Sequence, residues 1–492
     1  MVFLLAALAA GFFIYHRSNK ILPQPVKIFH YSYFSQPGFF DDAYKLAKAQ
    51  NYQPGAKGII VNHHLLAGNF IAEAFNTVAT NAPITVLLIS PNHFDAGKAE
   101  VITSSATWKT PYGELQPDTE LINRLATHKL AAIEEAPFNE EHGISGIVAF
   151  IKKSLPNAKV VPVIFNNRMK LEQSLALADE YKKNIPQNTL VVGSFDFSHY
   201  LPDRAASFHD LENLAAVENL DTSGIYNLDI DSRPGLAFYL QLMKDSGDNQ
   251  FHLLENSNSA KLTHQNILET TSYITGYFTP GTYVTSPVNT LLSLPNIVGS
   301  SEILNQVDKH SKKYVLTYME RFFYGQDVTV SFLSLSNSME LDSERVMLSR
   351  LAIELVSGQE TIKELGEVKV GIINCDKGGK GVERVKGELD NGVDVAICQG
   401  AAKNSIEFYK NKPIVYAAGD LLSAGQKSMA VGLAVNDRQM QIYLFPIAPN
   451  AGQLKLMIGK ESDTVLSDMA GNSKLAQELK NEIKTGIITI KK

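Results

Sequence analysis

The sequence is poor in cysteine and has no excess of positive charge. Cys375 and Cys398 are the only cysteines among 492 residues, so a disulfide framework and a four-cysteine zinc site are excluded, although one disulfide is possible. The formal net charge is -6, which provides no basic surface for nucleic acid. The sequence also lacks a glycine-rich phosphate-binding loop and a Gly-x-Ser-x-Gly motif. We therefore expect no nucleic-acid partner, and nothing favours a nucleotide-binding protein or a serine hydrolase.

The composition is that of a globular protein. Hydrophobic residues make up 45% and charged residues 20% of the chain. A length of 492 residues exceeds what one hydrophobic core usually supports, so we expect two or three domains.

The first residues form an apolar stretch from Val2 to Tyr15, followed by the basic residues Arg17 and Lys20. This stretch is shorter than the roughly 20 residues of a full membrane span, but it resembles a signal-peptide core in length. We interpret residues 1–20 as an N-terminal membrane anchor or signal-like segment; the alternative is a buried terminal helix. The sequence predicts a protein attached to a membrane by this single segment and leaves the side of the membrane open.

Strand-like and helix-like patterns alternate along the chain. The runs GIIV, ITVLLIS, AKVVPVIF and TLVVGSF predict buried strands, and longer helical patterns separate them. This alternation predicts an α/β domain over residues 26–280 with a mainly parallel central sheet flanked by helices. Residues 281–301 are rich in Pro, Gly, Ser and Thr and predict a linker. A second, smaller α/β domain is expected over residues 302–492.

Histidine and aspartate side chains follow three of the predicted strands. His63 and His64 follow GIIV, His93 follows ITVLLIS, and Asp196 and His199 follow TLVVGS. Because ligands of such sheets bind beyond the carboxyl ends of the strands, we expect these side chains to converge on one pocket. A single histidine at a strand end is more often a capping or core group, and Asp196 with His199 could form a turn and helix cap.

Imidazole and carboxylate ligands together suit iron, copper, manganese or zinc. Two histidines and one carboxylate leave coordination positions open, which is typical of a catalytic metal site. His142, in the motif NEEHGISG, precedes a helical pattern and could act as an acid, a base or a substrate ligand.

Five short motifs resemble, in order and spacing, the Memo-like proteins, including the group called AmmeMemoRadiSam system protein B. The motifs are VNHHLLAG, SPNHF, WKTPYGEL, EEHGISG and GSFDFSHYLP, and the resemblance covers roughly residues 27–278. It implies a fold like that of LigB-type extradiol dioxygenases and a metal site with Fe(II) or copper. It also implies other proteins of the same system, such as the radical SAM protein, as partners.

The resemblance assigns roles to individual residues. It implies His63 and His93 as metal ligands, with His64 as the alternative to His63, and Asp196, His199 and His142 as proton carriers or supporting groups in the pocket. Where animal Memo has a cysteine ligand, this sequence has LDIDSRPGLAFYL, with Asp231 at or beside that position. A carboxylate from Asp231 is a harder ligand than a thiolate, so the set would be closer to a two-histidine, one-carboxylate iron site. The alternative is that Asp231 caps the following helix, a place that Ser232 could also fill.

The C-terminal part resembles CapA-type proteins, which look like metallophosphatases. The resemblance rests on KNSIEFYKNKPIVYAAGDLLSAGQ and the preceding LDNGVDVAICQGAA. The metal-binding motifs expected there read CQGAA and INCDKGG, so this domain is expected to be degenerate and without catalysis.

Three functions follow from these patterns. The first is a non-haem iron or copper enzyme that carries out redox or dioxygenase-like chemistry on an unknown small molecule. The second is a non-catalytic metal-binding or scaffold protein. The third is a metal-dependent hydrolase, because the same ligands could hold zinc.

Overall fold

The computed structural model describes residues 27–282, 287–298, 322, 328–333, 353–357, 360–375, 380–419, 427–450 and 453–491. These residues form one large mixed sheet in the N-terminal part of the chain and two further sheets in the C-terminal part. Helices accompany the sheets in both parts. The predicted α/β fold class is therefore confirmed.

The N-terminal sheet has twelve strands. They are β1 (Phe29–Tyr31), β2 (Gly58–Val61), β3 (Thr85–Pro91), β4 (Val101–Thr103), β5 (Thr107–Thr110), β6 (Gly113–Pro117), β7 (Ala132–Ile133), β8 (Lys159–Phe165), β9 (Thr189–Ser194), β10 (Phe197–Leu201), β11 (Gln250–Asn258) and β12 (Thr270–Thr279). Its centre is parallel, in the order β6-β8-β3-β9-β2. Antiparallel β12 and β10 continue the sheet beyond β2. All four strands predicted from apolar runs in this part lie in the parallel centre.

Helices pack on both faces of this sheet. They are α1 (Gly38–Leu46), α2 (Gly68–Val78), α3 (Thr119–Thr127), α4 (His142–Ser145), α5 (Val148–Ser154), α6 (Leu171–Asn184), α7 (Asp203–Glu218), α8 (Arg233–Ser246) and α9 (Ser259–Thr263). Alternate residues of β3 show the two layers. Leu87 and Ile89 belong to the cluster that contains α8, whereas Val86 and Leu88 belong to the cluster that contains α2 and α5. A strand covered on both faces has no polar side, which explains why the central strands are apolar throughout.

The C-terminal part contains a seven-stranded and a five-stranded sheet. Its strands are β13 (Asn289–Val298), β14 (Val328–Leu333), β15 (Ile353–Ser357), β16 (Glu360–Leu365), β17 (Val368–Asn374), β18 (Val395–Ala401), β19 (Ser405–Tyr409), β20 (Lys412–Ala418), β21 (Ser428–Val435), β22 (Gln439–Asn450), β23 (Gln453–Leu456) and β24 (Ile487–Lys491). Helices with described bounds in this part are α10 (Lys380–Asp390), α11 (Gly459–Asn472) and α12 (Gln477–Thr485). A disulfide joins Cys375, directly after β17, to Cys398 in β18.

Part of the expected linker is a strand. Residues 289–298 form β13, which pairs with β14 and β21. Leu291, Leu292 and Leu294 are buried there, and this burial favours a strand despite the neighbouring turn-forming residues. Pro295 lies where the pairing with β14 shifts register, between Leu294 and Ile297, and a bulge of this kind tolerates proline.

Helix α7 connects the two parts of the molecule. Ala205 and Phe208 belong to one buried cluster with Ala430 and Phe445 of the C-terminal sheet. The guanidinium of Arg204 donates a hydrogen bond of 2.9 Å to the carbonyl of Leu444. The two parts therefore share a hydrophobic contact in addition to the chain that joins them.

The expected membrane attachment is contradicted. Within the parts of the chain that the structure describes, none of the helices combines the length and the apolar character that crossing a membrane requires. Residues 1–20, on which the prediction of a membrane-anchored protein with a transmembrane helix depended, lie outside the described residues.

Candidate metal centre

Three adjacent parallel strands each place one candidate side chain at the same edge of the sheet. His63, His93 and Asp196 each lie two residues beyond the last residue of β2, β3 and β9, respectively. In the sheet β9 lies between β3 and β2. Because the carboxyl ends of parallel strands meet at one edge, the three side chains converge.

The ring of His63 is held in one tautomer. Its Nδ1 lies 3.1 Å from the Ser194 hydroxyl, which donates its only proton to the carbonyl of Gly143 at 2.7 Å. Nδ1 must therefore carry the proton, and the lone pair lies on Nε2. This Nε2 is 3.4 Å from Asp196 Oδ2 and 3.3 Å from Asp231 Oδ2. Burial lowers the pKa of His63 to about 3, so the ring is neutral and can act as a ligand.

Glu141 fixes the orientation of His93. Its carboxylate accepts a hydrogen bond of 2.6 Å from His93 Nδ1, and it also accepts from the backbone N–H groups of His93 and Gly143, both at 2.9 Å. Burial alone would raise the pKa of Glu141, but the hydrogen bond from His93 brings it below its usual range. With Nδ1 as donor, Nε2 of His93 has its lone pair available, 3.9 Å from Asp231 Oδ2. A carboxylate behind a histidine is the usual support of a metal ligand.

Asp231 points its carboxylate into the pocket and does not cap the next helix. Ser232 is the N-cap of α8 and accepts a hydrogen bond of 3.2 Å from the N–H of Gly235. Asp231 Oδ2 accepts from the N–H of Asp196 at 2.9 Å, whereas Oδ1 is buried without a hydrogen-bond partner among the described residues. Burial, and next the charge of Asp196, raise the pKa of Asp231.

His142 and Asp196 complete the wall around these ligands. The His142 ring stacks on His93 with centroids 3.9 Å apart and lies 5.3 Å from the His63 ring. Burial and the neighbouring His93 lower the pKa of His142. The N–H groups of His63 and His64 donate to Asp196 Oδ1 at 3.1 and 3.4 Å, which orients its carboxylate.

Two groups of potential ligands share His63. In one, atoms of His63, His93 and His142 all lie within 4.8 Å of one another; in the other, atoms of His63, Asp196 and Asp231 do so. Ligand atoms that share one ion at about 2.1 Å are separated by about 3 to 3.5 Å, which the contacts around Asp231 Oδ2 approach. The donor set of imidazoles and carboxylates fits iron, copper or zinc.

Two predicted site residues lie outside both groups. His64 directs Nδ1 to the hydroxyl of Tyr273, at 2.7 Å. His199 lies in β10, where its N–H donates to Asp229 Oδ2 at 3.3 Å. The turn and helix cap considered for Asp196 and His199 is not formed, because residues 197–201 form a strand and the N-cap of α7 is Pro202.

Three supporting residues are not among the site residues predicted from the sequence: Glu141, Ser194 and Tyr273. Glu141 directly precedes His142 in the EEHG motif, and Ser194 is the last residue of β9, so both lie close to predicted site residues. Tyr273 lies in β12, far along the chain from the other motifs, and no local pattern marked it.

Comparisons with known proteins match the N-terminal part of the chain to one family. Residues 39–277 match the family model described as Memo-like protein. A MEMO1 family protein of Caldivirga maquilingensis is 29% identical over 35% of this chain and 62% of its own length. A MEMO1 family protein of Nitrosopumilus maritimus is 24% identical over 45% of this chain and 83% of its own length. The match thus spans less than two thirds of the Caldivirga protein. A solved structure of Vps29 from Chaetomium thermophilum is 14% identical, covers 35% of this chain and 95% of its own, and has a TM-score of 0.25, which is too low to indicate a function.

Proposed function

Because residues 39–277 belong to the Memo-like family, we propose that the protein is a metal-dependent oxidoreductase that acts on a small molecule. Its metal ion is Fe(II) or copper, held by His63, His93 and Asp231. The two imidazoles and the carboxylate form the type of set found in non-haem iron sites. When bound, such an ion supplies redox chemistry and Lewis acidity.

The buried Asp231 carboxylate is the observation that carries this proposal. An oxygen atom of a buried acid without a partner is costly, and here Asp196 adds a second carboxylate beside it. A cation between Asp231 and the two histidines would compensate both charges. The lone pairs on Nε2 of His63 and His93 are already directed by Ser194 and Glu141, so the ligands are arranged before the ion binds.

The surrounding residues would act on the substrate. His142 offers a neutral imidazole stacked on His93, and we assign it the transfer of a proton at its ring nitrogen. Asp196, held by two backbone N–H groups, keeps His63 in place through contacts to its main chain and ring. His64 and Tyr273 form a second hydrogen-bonded pair, which could relay a proton from the pocket toward solvent because His64 is exposed.

Metal analysis of the anaerobically purified chain tests the proposal. We expect about one equivalent of Fe(II) or copper per chain, lost in His63→Ala and His93→Ala. His128→Ala is the matched control, because His128 is an exposed histidine at the end of α3. Binding that is unchanged in His63→Ala and His93→Ala would contradict the assignment of the ligands.

Oxygen consumption then separates the remaining functions. An oxidoreductase loaded with Fe(II) or copper is expected to consume oxygen when supplied with its substrate, and a screen of small phenols and related aromatic compounds provides the first candidates. A chain that binds zinc and hydrolyses esters without consuming oxygen would identify the hydrolase instead. Stoichiometric metal with neither activity would favour the scaffold.

A further inference from the structure

Helix α7 turns one face toward the C-terminal sheet and another toward the segments that carry the metal centre. The first face is apolar and contains Ala205 and Phe208. The second face contains His209, Asp210 and Asn213, which are at most 3% exposed. Burial of ionisable groups is costly unless they are paired, so the partners of this second face indicate its role.

The segment that ends in Asp231 pairs with the residues that follow β9. Ile230 forms an antiparallel bridge with Phe197, and the N–H of Asp231 donates to the carbonyl of Asp196 at 3.2 Å. Asp231 Oδ2 in turn accepts from the N–H of Asp196 at 2.9 Å. The position of the Asp231 carboxylate beside His63 therefore depends on how this pairing is held.

Asp229 holds the other end of the pairing. Its Oδ2 accepts a hydrogen bond of 3.3 Å from the N–H of His199, and its carbonyl accepts one of 3.2 Å from the amide of Asn213. The same amide donates to the Ser198 hydroxyl at 3.2 Å. Asp229 thus ties the ligand segment to β10 through its carboxylate and to α7 through its main chain.

His209 provides a positive charge that faces Asp229. Its Nε2 donates a hydrogen bond of 3.1 Å to the carbonyl of Phe322, whose ring packs on Phe445 of the C-terminal sheet. Its Nδ1 lies 3.5 Å from Asp229 Oδ2, the distance of an ion pair. Burial alone would lower the pKa of His209, but the Asp229 carboxylate raises it above its usual value, which favours a proton on both ring nitrogens.

We propose that His209 is a positioning residue of the metal centre, a role that rests on the proposed function. It fixes the Asp229 carboxylate, and Asp229 fixes the pairing of residues 229–231 with residues 196–199, which places Asp231 beside His63. Stability alone does not account for this ion pair, because the lost hydration of two buried charges generally offsets their attraction. Through Phe322, the C-terminal part of the chain supports the geometry of the ligands.

Two variants of His209 separate its two contacts. Gln can place its amide where Nε2 lies, next to Phe322, but loses the contact with Asp229, whereas Asn can place its amide where Nδ1 lies, next to Asp229. We expect His209→Gln to bind Fe(II) about tenfold more weakly than the wild type, and His209→Asn to remain within about threefold. Anaerobic competition titration with a chelator measures both affinities.

The electron paramagnetic resonance spectrum of bound Cu(II) is a second readout, because it reports the geometry of the ligands. We expect a changed spectrum for His209→Gln and a spectrum close to that of the wild type for His209→Asn. Phe208→Leu is the matched control, since Phe208 is the neighbouring buried residue on the apolar face of α7. It should lower the melting temperature and leave the affinity and the spectrum unchanged.

Equal affinity and equal spectra for His209→Gln and the wild type would overturn the inference. Equal losses in His209→Gln, His209→Asn and Phe208→Leu would also overturn it, because they would show an effect of stability alone. If His209→Gln does not fold, Asn213→Ser removes the amide that holds the Asp229 carbonyl, and unchanged metal binding by that variant would refute the role. A wild type that binds no metal contradicts the proposed function as well, whereas normal metal binding by the wild type and by His209→Gln contradicts only the role of His209.

Discussion

Replacement of Glu141 by Gln tests whether the support of His93 matters to the site. The carboxylate accepts three hydrogen bonds, from His93 Nδ1, the N–H of His93 and the N–H of Gly143. Gln has nearly the same shape but only one acceptor atom, so at least one donor loses its partner. A hydrogen bond to a charged group contributes about 1.5 to 3 kcal/mol. Since each 1.4 kcal/mol is tenfold, we expect Glu141→Gln to weaken metal binding about 10- to 100-fold.

Anaerobic competition titration with Fe(II) and a chelator measures this affinity. Glu140→Gln is the control, because Glu140 is the neighbouring exposed acid and changes the net charge equally. We expect normal affinity for Glu140→Gln and a native circular dichroism spectrum for both variants. Binding of Fe(II) by Glu141→Gln within about twofold of the wild type, or an equal loss of affinity in both variants, would contradict the proposed role of Glu141.

Three further predictions concern stability. Without metal, Asp231→Asn should be more stable than the wild type by about 1 to 3 kcal/mol, because one of two adjacent buried carboxylates is removed. Thermal unfolding in the presence of a chelator measures this difference, and an unchanged or lower melting temperature would contradict the prediction. Burial raises the pKa of Asp210 from 3.8 to about 6, so the native state binds more protons than the unfolded state between these values. Stability should therefore fall by about 2 to 2.5 kcal/mol between pH 4 and 7 relative to Asp210→Asn; equal pH slopes in urea titrations would refute this. Replacing both Cys375 and Cys398, which are 23 residues apart, by Ala should lower the free energy of unfolding by about 3 kcal/mol. Equal denaturant midpoints for the variant and the wild type would contradict this prediction.

The strands and the edge of the sheet could be predicted because their signals are local. The runs before His63, His93 and Asp196 are buried on both faces, so each reads as apolar from end to end, and each candidate side chain follows directly. The role of Asp231 as a ligand could be predicted only from the resemblance to a family, because the residues around it are equally typical of a helix cap. Only the hydrogen bond of Ser232 to α8 decides between these two roles.

Contacts between distant segments could not be predicted. Tyr273 meets His64 because antiparallel β12 pairs with β2, and a pairing across 200 residues leaves no pattern in either segment. The composition of residues 289–298 resembles a loop and therefore predicts part of a linker, whereas the leucines of this strand are buried only by the C-terminal sheet. The domain limits and the likeness to CapA-type proteins stay predictions.

Helix α7 makes the two parts of the chain dependent on each other. Phe208 is fully buried, and its partners Tyr443 and Phe445 come from the C-terminal sheet. A fragment that ended after β12 would present this ring and its neighbours to water as an apolar patch, with a tendency to aggregate. We therefore expect the two parts of the chain to stabilise each other through this contact.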